Sequence, residues 1–274
     1  MNQDNRQIPI AFIGGGNMAR ALIAGLMQSG HAMNRVLVVE PNSERGRALV
    51  DDFGVTVKSR QVKGLANSAL VVLAVKPQQI DGVVASLAPR LGECTTLLSI
   101  AAGISCARIS AALGERQDIA LVRTMPNTAA QVGSGVAALF SEAGELHRQR
   151  AEYLLRAVGV TLWVKSEATL HAVTALSGSG PAYFFLLTEL MEASAVQMGL
   201  CSEDAALLAS HTAYGAGRML VEMEVGSAAL RQQVTSPNGT TQAALDVMYN
   251  EGMPDIVRRA LHAAKKRSKE LESE

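Results

Sequence analysis

The sequence predicts an α/β fold in its first half, a doubly wound and mostly parallel sheet, followed by a second, all-helical domain. Three observations predict it. Short apolar runs alternate with amphipathic helical stretches up to about residue 164. The first run breaks at once into a glycine turn that opens a helix. From Glu167 onward the long stretches keep a helical period instead. Strands spaced by helices give parallel sheets with helices on both faces.

The glycine turn is the strongest local signal. Residues 8–13 read IPIAFI, a strand-type run, and Gly14-Gly15-Gly16-Asn17-Met18-Ala19 follows. The spacing is Gly14-x-Gly16-x-x-Ala19, and the helix after it stops at Gly30. A dinucleotide-binding βαβ unit requires that order of strand, turn and helix. Gly14 permits the tight turn, Gly16 leaves room for a pyrophosphate at the backbone, and Ala19 lets helix and strand lie close. The helix start turns its free N–H groups and positive dipole end toward the phosphates.

Further strands are predicted at residues 35–39, 55–57, 69–74, 95–100, 119–123, 135–140 and 160–164. Helices fall at 43–52, 78–88, 105–113 and 146–158. The run ALVVLA at 69–74 has no polar alternation, as in a buried parallel strand. In the second half, Pro181 suits the first turn of a helix reaching Met198, with Gly199 beyond it. Ser202 reads as an N-cap, with Glu203 and Asp204 in the first turn of a helix to about Met223. Ser227 caps a short helix, and helices over 240–250 and 254–271 complete the half. Its apolar surface, with Leu170, Val173, Leu176, Phe184, Leu187 and Leu190, predicts burial of part of it against a second copy of the chain. The final AAKKRSKELESE reads as a solvated helix end. The boundary is placed at 165/166, with a dinucleotide-binding domain over 1–165 and a helical dimerisation and substrate-binding domain over 166–274.

Composition excludes other classes. Of 274 residues 48% are hydrophobic, enough for a large core. Lys+Arg and Asp+Glu balance at 25 each, so no charge excess attracts nucleic acid or an anionic membrane. The polar N-terminus is no secretory signal, and no apolar run is long enough to span a bilayer. Three widely spaced cysteines with no metal spacing fit free thiols in a reducing cytoplasm. No metal site is predicted.

Several polar residues fall where chemistry is expected. Glu40 ends the second strand about twenty residues past Ala19, the place of an acid that accepts from ribose hydroxyls and favours NAD. Asn42, Ser43 and Arg45 follow, and can instead hold a 2′-phosphate and favour NADP. Ala74-Val75-Lys76-Pro77 ends the fourth strand on the edge where parallel sheets bind ligands. Ala101-Ala102-Gly103 and Met125-Pro126-Asn127-Thr128 end later strands on the same edge, with room for a nicotinamide ring that Asn127 and Thr128 could cap or hydrogen-bond. The turn over 235–241, TSPNGTT, opens a helix and offers N–H groups and hydroxyls to a carboxylate, although taken alone it reads as a capped helix start. No histidine pairs into a nucleophilic arrangement, and His171 reads as a satisfied core residue.

These pieces together resemble the pyrroline-5-carboxylate reductase family. The matching segments are GGGNMA (14–19), LAVKPQ (73–78), SIAAGI (99–104), RTMPNT (123–128), ALSGSGPAYFF (175–185) and TSPNGTT (235–241), in the family's order along nearly the whole chain. The resemblance implies a Rossmann-type sheet and a C-terminal all-helical dimerisation domain. It implies NADPH-dependent reduction of the C=N bond of 1-pyrroline-5-carboxylate to L-proline, with NADH as the other nicotinamide. Gly14, Gly16, Asn17, Met18 and Ala19 match the pyrophosphate loop. Ala74, Val75, Lys76 and Pro77 match the segment beside the nicotinamide ribose, and Ala102 the small residue near the ring. Gly239, Thr240 and Thr241 match the turn that receives the substrate carboxylate. Thr241 also matches the hydroxyl that reaches the ring nitrogen, and Glu224 an acid acting through water. The resemblance implies a cytoplasmic homodimer with intertwined helical domains and admits a decamer. Three departures stand out: Asn238 replaces a glycine, Ala129 a proline, and Gln61 an asparagine near the NADP phosphate. A related imine reductase or β-hydroxyacid dehydrogenase, and a non-catalytic NAD(P)H-binding protein, are the alternatives.

Overall fold

A computed structural model describes residues 6–60, 63–116 and 118–273; Gln61 lies outside them. The chain forms two compact units. One takes the chain up to Gly178 and again from Ala264; the other is Ser179–Ala263.

Among the described residues the first unit holds one eight-stranded sheet. Its strands are β1 (Ile10–Ile13), β2 (Val36–Val39), β3 (Thr56–Lys58), β4 (Leu70–Leu73), β5 (Thr96–Ser99), β6 (Ala120–Met125), β7 (Gly135–Phe140) and β8 (Gly159–Trp163). The order is β3-β2-β1-β4-β5-β6-β7-β8. Every pair is parallel except β6 with β7. The link from Met125 to Gly135 explains the exception. A parallel return needs a crossover of about a dozen residues or more, usually helical, and this link is shorter. The strand therefore doubles back, and β8 follows β7 by way of a helix.

Helices α1 (Asn17–Gln28), α2 (Ser43–Phe53), α3 (Ile80–Leu87), α4 (Cys106–Leu113) and α5 (Glu145–Arg156) cover the sheet. Alternate residues of β1 feed two cores, as the period of a strand requires. Ile10 and Phe12 pack with Leu22 of α1, Leu49 of α2 and Leu154 of α5. Ala11 and Ile13 pack with Ile80 and Val84 of α3 and Ile109 of α4. After β8, the short helix α6 (Leu170–Val173) runs into a π-helical turn over Thr174–Gly178.

The second unit holds α7 (Gly180–Gln197), α8 (Ser202–Glu222), α9 (Ser227–Gln233), α10 (Thr240–Asn250) and the first part of α11 (Met253–Ser273). Pro181 lies in the first turn of α7, and Gly199 follows it at φ +104°. Two caps differ from expectation. Cys201, not Ser202, caps α8: its Sγ accepts from the Asp204 N–H, and Ser202 is already helical. Gly226 precedes α9, with Ser227 as its first residue. In this unit α7 packs on α8. Yet Phe184, Phe185 and Val221 stand 65%, 69% and 85% exposed, a large apolar surface for one copy of the chain. Among the described residues no helix is long and apolar enough to cross a membrane.

The charged C-terminal stretch is not the solvated end that the sequence predicts. Ser268 is buried and bonds His171 Nδ1 at 3.0 Å. Glu272 bonds His171 Nε2 at 3.2 Å and pairs with Arg123, whose side chain is buried. Leu271 lies against Gly103. Arg123 also pairs with Glu167 at 2.6 Å, and Glu167 accepts the Cys106 N–H at 2.7 Å. Charge pattern alone could not reveal this, because the partners lie about a hundred residues or more earlier in the chain. His171 is thus the satisfied buried histidine expected of it.

Candidate functional site

The glycine turn connects β1 to α1 at the carboxyl edge of the parallel strands. Gly14 sits at φ +99°, and a Cβ there would come within 2.6 Å of the Ala74 carbonyl oxygen. Only glycine meets both demands. Gly16 is different: a Cβ would meet nothing within 4 Å, so the backbone there borders open space. That space belongs to a cleft of about 970 Å³, lined by Gly14–Asn17, Glu40, Arg45, Ser59, Arg60 and Ala74–Lys76, among others. The cleft size and an unobstructed helix start fit an extended anionic ligand such as a dinucleotide.

Of the residues singled out in the sequence, Gly14, Gly16, Asn17, Glu40, Ala74, Val75 and Lys76 share this cleft. Met18, Ala19, Asn42, Ser43, Pro77 and Ala102 do not line it. Ala19 is buried beneath the turn, where it lets α1 approach the sheet. Pro77 starts a 3-10 turn that leads into α3. The Asn42 side chain accepts the Arg45 N–H at 2.8 Å and so caps α2. Ala102 lies in the turn after β5. Asn127 differs from expectation: its side-chain amide donates to the Ser177 carbonyl at 3.1 Å and accepts the Val136 N–H at 3.2 Å. It braces the start of β7, and its polar atoms already have partners. Sequence reasoning missed Ser59, Arg60 and Gln79 as lining residues. The position of Ser59 and Arg60 just past β3, on the ligand edge, was the available signal.

Glu40 is buried and fully engaged. One oxygen accepts the Gly15 N–H at 2.9 Å and Arg45 Nη1 at 3.2 Å; the other accepts the Asn42 N–H at 2.9 Å. Burial by itself pushes its carboxyl up. The two N–H groups and the guanidinium outweigh that and hold it below the ordinary carboxylate range.

In the second unit the TSPNGTT turn leads into α10. Asn238 adopts φ +59°, the left-handed conformation that a glycine would take without strain and that asparagine tolerates better than most residues. The Gly239 N–H donates to the Ser236 carbonyl at 3.0 Å. Gly239 is the N-cap of α10, without a side-chain cap bond. The N–H groups of Thr240 and Thr241 fall in the first turn, where the helix itself supplies no acceptor. An anion is the natural partner for such a group of donors. Glu224 is exposed in the link between α8 and α9.

Comparison with known proteins gives these features a family. Residues 167–271 match the model for pyrroline-5-carboxylate reductase dimerisation, and residues 9–103 match the model for NADP oxidoreductase, coenzyme F420-dependent. The pyrroline-5-carboxylate reductase of Pseudomonas aeruginosa is 43% identical over 96% of this chain and 96% of its own. That of Haemophilus influenzae is 41% identical over 96% and 97%. Among solved structures, a pyrroline-5-carboxylate reductase from Coxiella burnetii superposes with a TM-score of 0.91 at 39% identity, covering 97% of this chain and 98% of that one. With likeness of that extent along both units, the chain belongs to the pyrroline-5-carboxylate reductase family.

Proposed function

We propose that this protein reduces the C=N bond of 1-pyrroline-5-carboxylate with NADPH or NADH, giving L-proline. The observation that carries the proposal is a pair of anion-receptive helix starts in a chain of this family. One borders the glycine-turn cleft; the other follows a turn whose Asn238 takes the left-handed conformation. When bound, the reduced nicotinamide supplies the hydride that the imine carbon takes up.

The chain's own groups bind and orient. Gly14, Gly16, Asn17, Met18 and Ala19 form or support the pyrophosphate turn, with Glu40, Asn42 and Ser43 beyond it. Ala74, Val75, Lys76 and Pro77 flank the nicotinamide ribose, and Ala102 leaves room for the ring. Gly239, Thr240 and Thr241 form the turn that receives the substrate carboxylate, with the Thr240 and Thr241 N–H groups as its donors while the Gly239 N–H holds the turn closed on Ser236. The Thr241 hydroxyl meets the ring nitrogen, and Glu224 acts on the substrate through water. A protonated imine is already electrophilic, so positioning suffices and no strong base is needed.

Residues 1–165 hold the nucleotide in this reading, and 166–274 dimerise and bind substrate. The dimerisation match from residue 167 supports that division. The dimer intertwines its helical domains and assembles further into a decamer in the cytoplasm. The test is direct: NADPH and NADH absorbance is followed with racemic 1-pyrroline-5-carboxylate, other cyclic imines and 3-hydroxy acids. Turnover of the pyrroline acid above the others supports the proposal. Preference for another imine or a hydroxy acid, or nucleotide binding without oxidation, refutes it.

A further inference from the structure

Two segments meet just past β6: RTMPNT at 123–128 and the ALSG that opens the segment at 175–185. The parallel run of strands ends at β6, where the sheet turns back on itself. Asn127 stands two residues beyond that strand and is buried. Its amide is divided between two other parts of the chain. Oδ1 accepts the Val136 N–H of β7 at 3.2 Å, and Nδ2 donates to the Ser177 carbonyl at 3.1 Å. An amide meets both needs at once, because it carries an acceptor and a donor side by side.

Ser177 belongs to the π-helical turn over Thr174–Gly178. Such turns are rare and are frequent at functional sites. Side chains take up carbonyls around this one. The Thr174 hydroxyl donates to Leu170 at 2.8 Å, and the Ser177 hydroxyl donates to Val173 at 3.1 Å. Gly178 packs on Met125, whose terminal methyl would lie 2.5 Å from a Cβ there. The first compact unit gives way to the second immediately after Gly178, and α7 begins at Gly180. Asn127 therefore holds the chain at the point where it passes from one unit to the next.

We propose that Asn127 is a positioning residue for the reduction: by gripping Ser177 it fixes the turn through which the chain enters the substrate-binding unit. The inference rests on the reading that the nucleotide lies in the first unit and the substrate carboxylate at the start of α10. Hydride transfer tolerates little misplacement, and an error of about 1 Å imposed from a distance can cost about a hundredfold in rate.

Asn127→Asp keeps the shape and the acceptor for Val136 but sets an oxygen against the Ser177 carbonyl. Fluorescence titration with the reduced nucleotide that wild type oxidises faster, NADPH or NADH, gives its Kd and the number of sites. Absorbance at saturating nucleotide gives kcat and KM for 1-pyrroline-5-carboxylate. The variant should keep the wild-type number of sites and a Kd within about twofold, while kcat falls at least about tenfold and KM stays within about threefold. Fewer sites with wild-type kcat per bound nucleotide would show a merely structural role and overturn the inference. A nucleotide Kd that weakens in step with kcat would put the amide at the nicotinamide and overturn it too, as would an unaltered kcat. If Asn127→Asp binds too little nucleotide to measure, Ser177→Ala decides. It removes a hydroxyl from the same turn and should lower kcat about threefold, the scale of one neutral hydrogen bond, with nucleotide affinity unchanged. Full activity of that variant overturns the inference. Wild type that binds nucleotide yet leaves the pyrroline acid unreduced refutes the functional reading and this inference with it, whereas equal activity of wild type and variants overturns this inference alone.

Discussion

Thr241 lies in the first turn of α10, where the helix leaves donors unpaired, and the hydroxyl is proposed to meet the substrate nitrogen. Thr241→Ala should lower kcat/KM about five- to a hundredfold, the equivalent of roughly 1–3 kcal/mol of transition-state binding. Steady-state kinetics at saturating nucleotide would check it, and an unchanged kcat/KM removes the role. Glu40 makes a prediction in pH. Its folded-state pKa lies below the ordinary value of 4.5. The stability it contributes is therefore complete above about 4.5 and is lost as pH falls through the lower, folded-state value. The melting-temperature gap between wild type and Glu40→Gln should be widest near neutrality and close in acid. A gap that persists unchanged at low pH would show that the carboxylate charge is not the source. At this scale the sequence was only partly legible. Strand-end spacing located Glu40, but which way its carboxylate turns depends on Gly15 and Arg45, and spacing carries no direction. Asn238 was more readable, because few residues other than asparagine and glycine accept its φ of +59°.

The sheet elements were readable from pattern, since a fully buried parallel strand such as Leu70–Leu73 leaves an unbroken apolar run. The end of α11 was not. A helix that docks through Glu272 and Ser268 carries the same charged period as one that stays in water. The docked turn is held by Arg123, whose side chain is 5% exposed and touches two carboxylates. Removing the guanidinium leaves both acids without their cation, and burial of half-satisfied charge is costly. Arg123→Met should destabilise the protein by about 3 kcal/mol in urea unfolding. Glu272→Gln, which keeps a polar partner, should cost less. If Arg123→Met unfolds at the wild-type midpoint, the cluster does not hold the helix end.

The helical unit shows on the largest scale what single segments only hint at. Helix α7 spreads its apolar side chains around the helix, with Glu189 and Glu192 among them, and Phe184, Phe185 and, on α8, Val221 stand in the open. A solvent-facing position tolerates a charge within about 0.5 kcal/mol. An interface does not. Val221→Asp should convert the assembly into smaller species by light scattering while leaving the melting curve of an isolated chain nearly unchanged. An unaltered mass would place Val221 outside the interface. The sequence conveyed the excess of apolar surface and several of the side chains that carry it, since Leu176, Phe184, Leu187 and Leu190 all stand exposed, but not Phe185 or Val221, which no apolar face singles out.

Burial and the nearby Glu167 carboxylate push the Cys106 thiol up to about 12, so at neutral pH it stays protonated and slow toward electrophiles. Cys94 and Cys201 are exposed, one on each compact unit. Maleimide dyes should decorate those two and spare the third. The native chain thus comes with a donor–acceptor pair for energy-transfer measurements, able to report any change in separation between the units during turnover without a cysteine being added or removed.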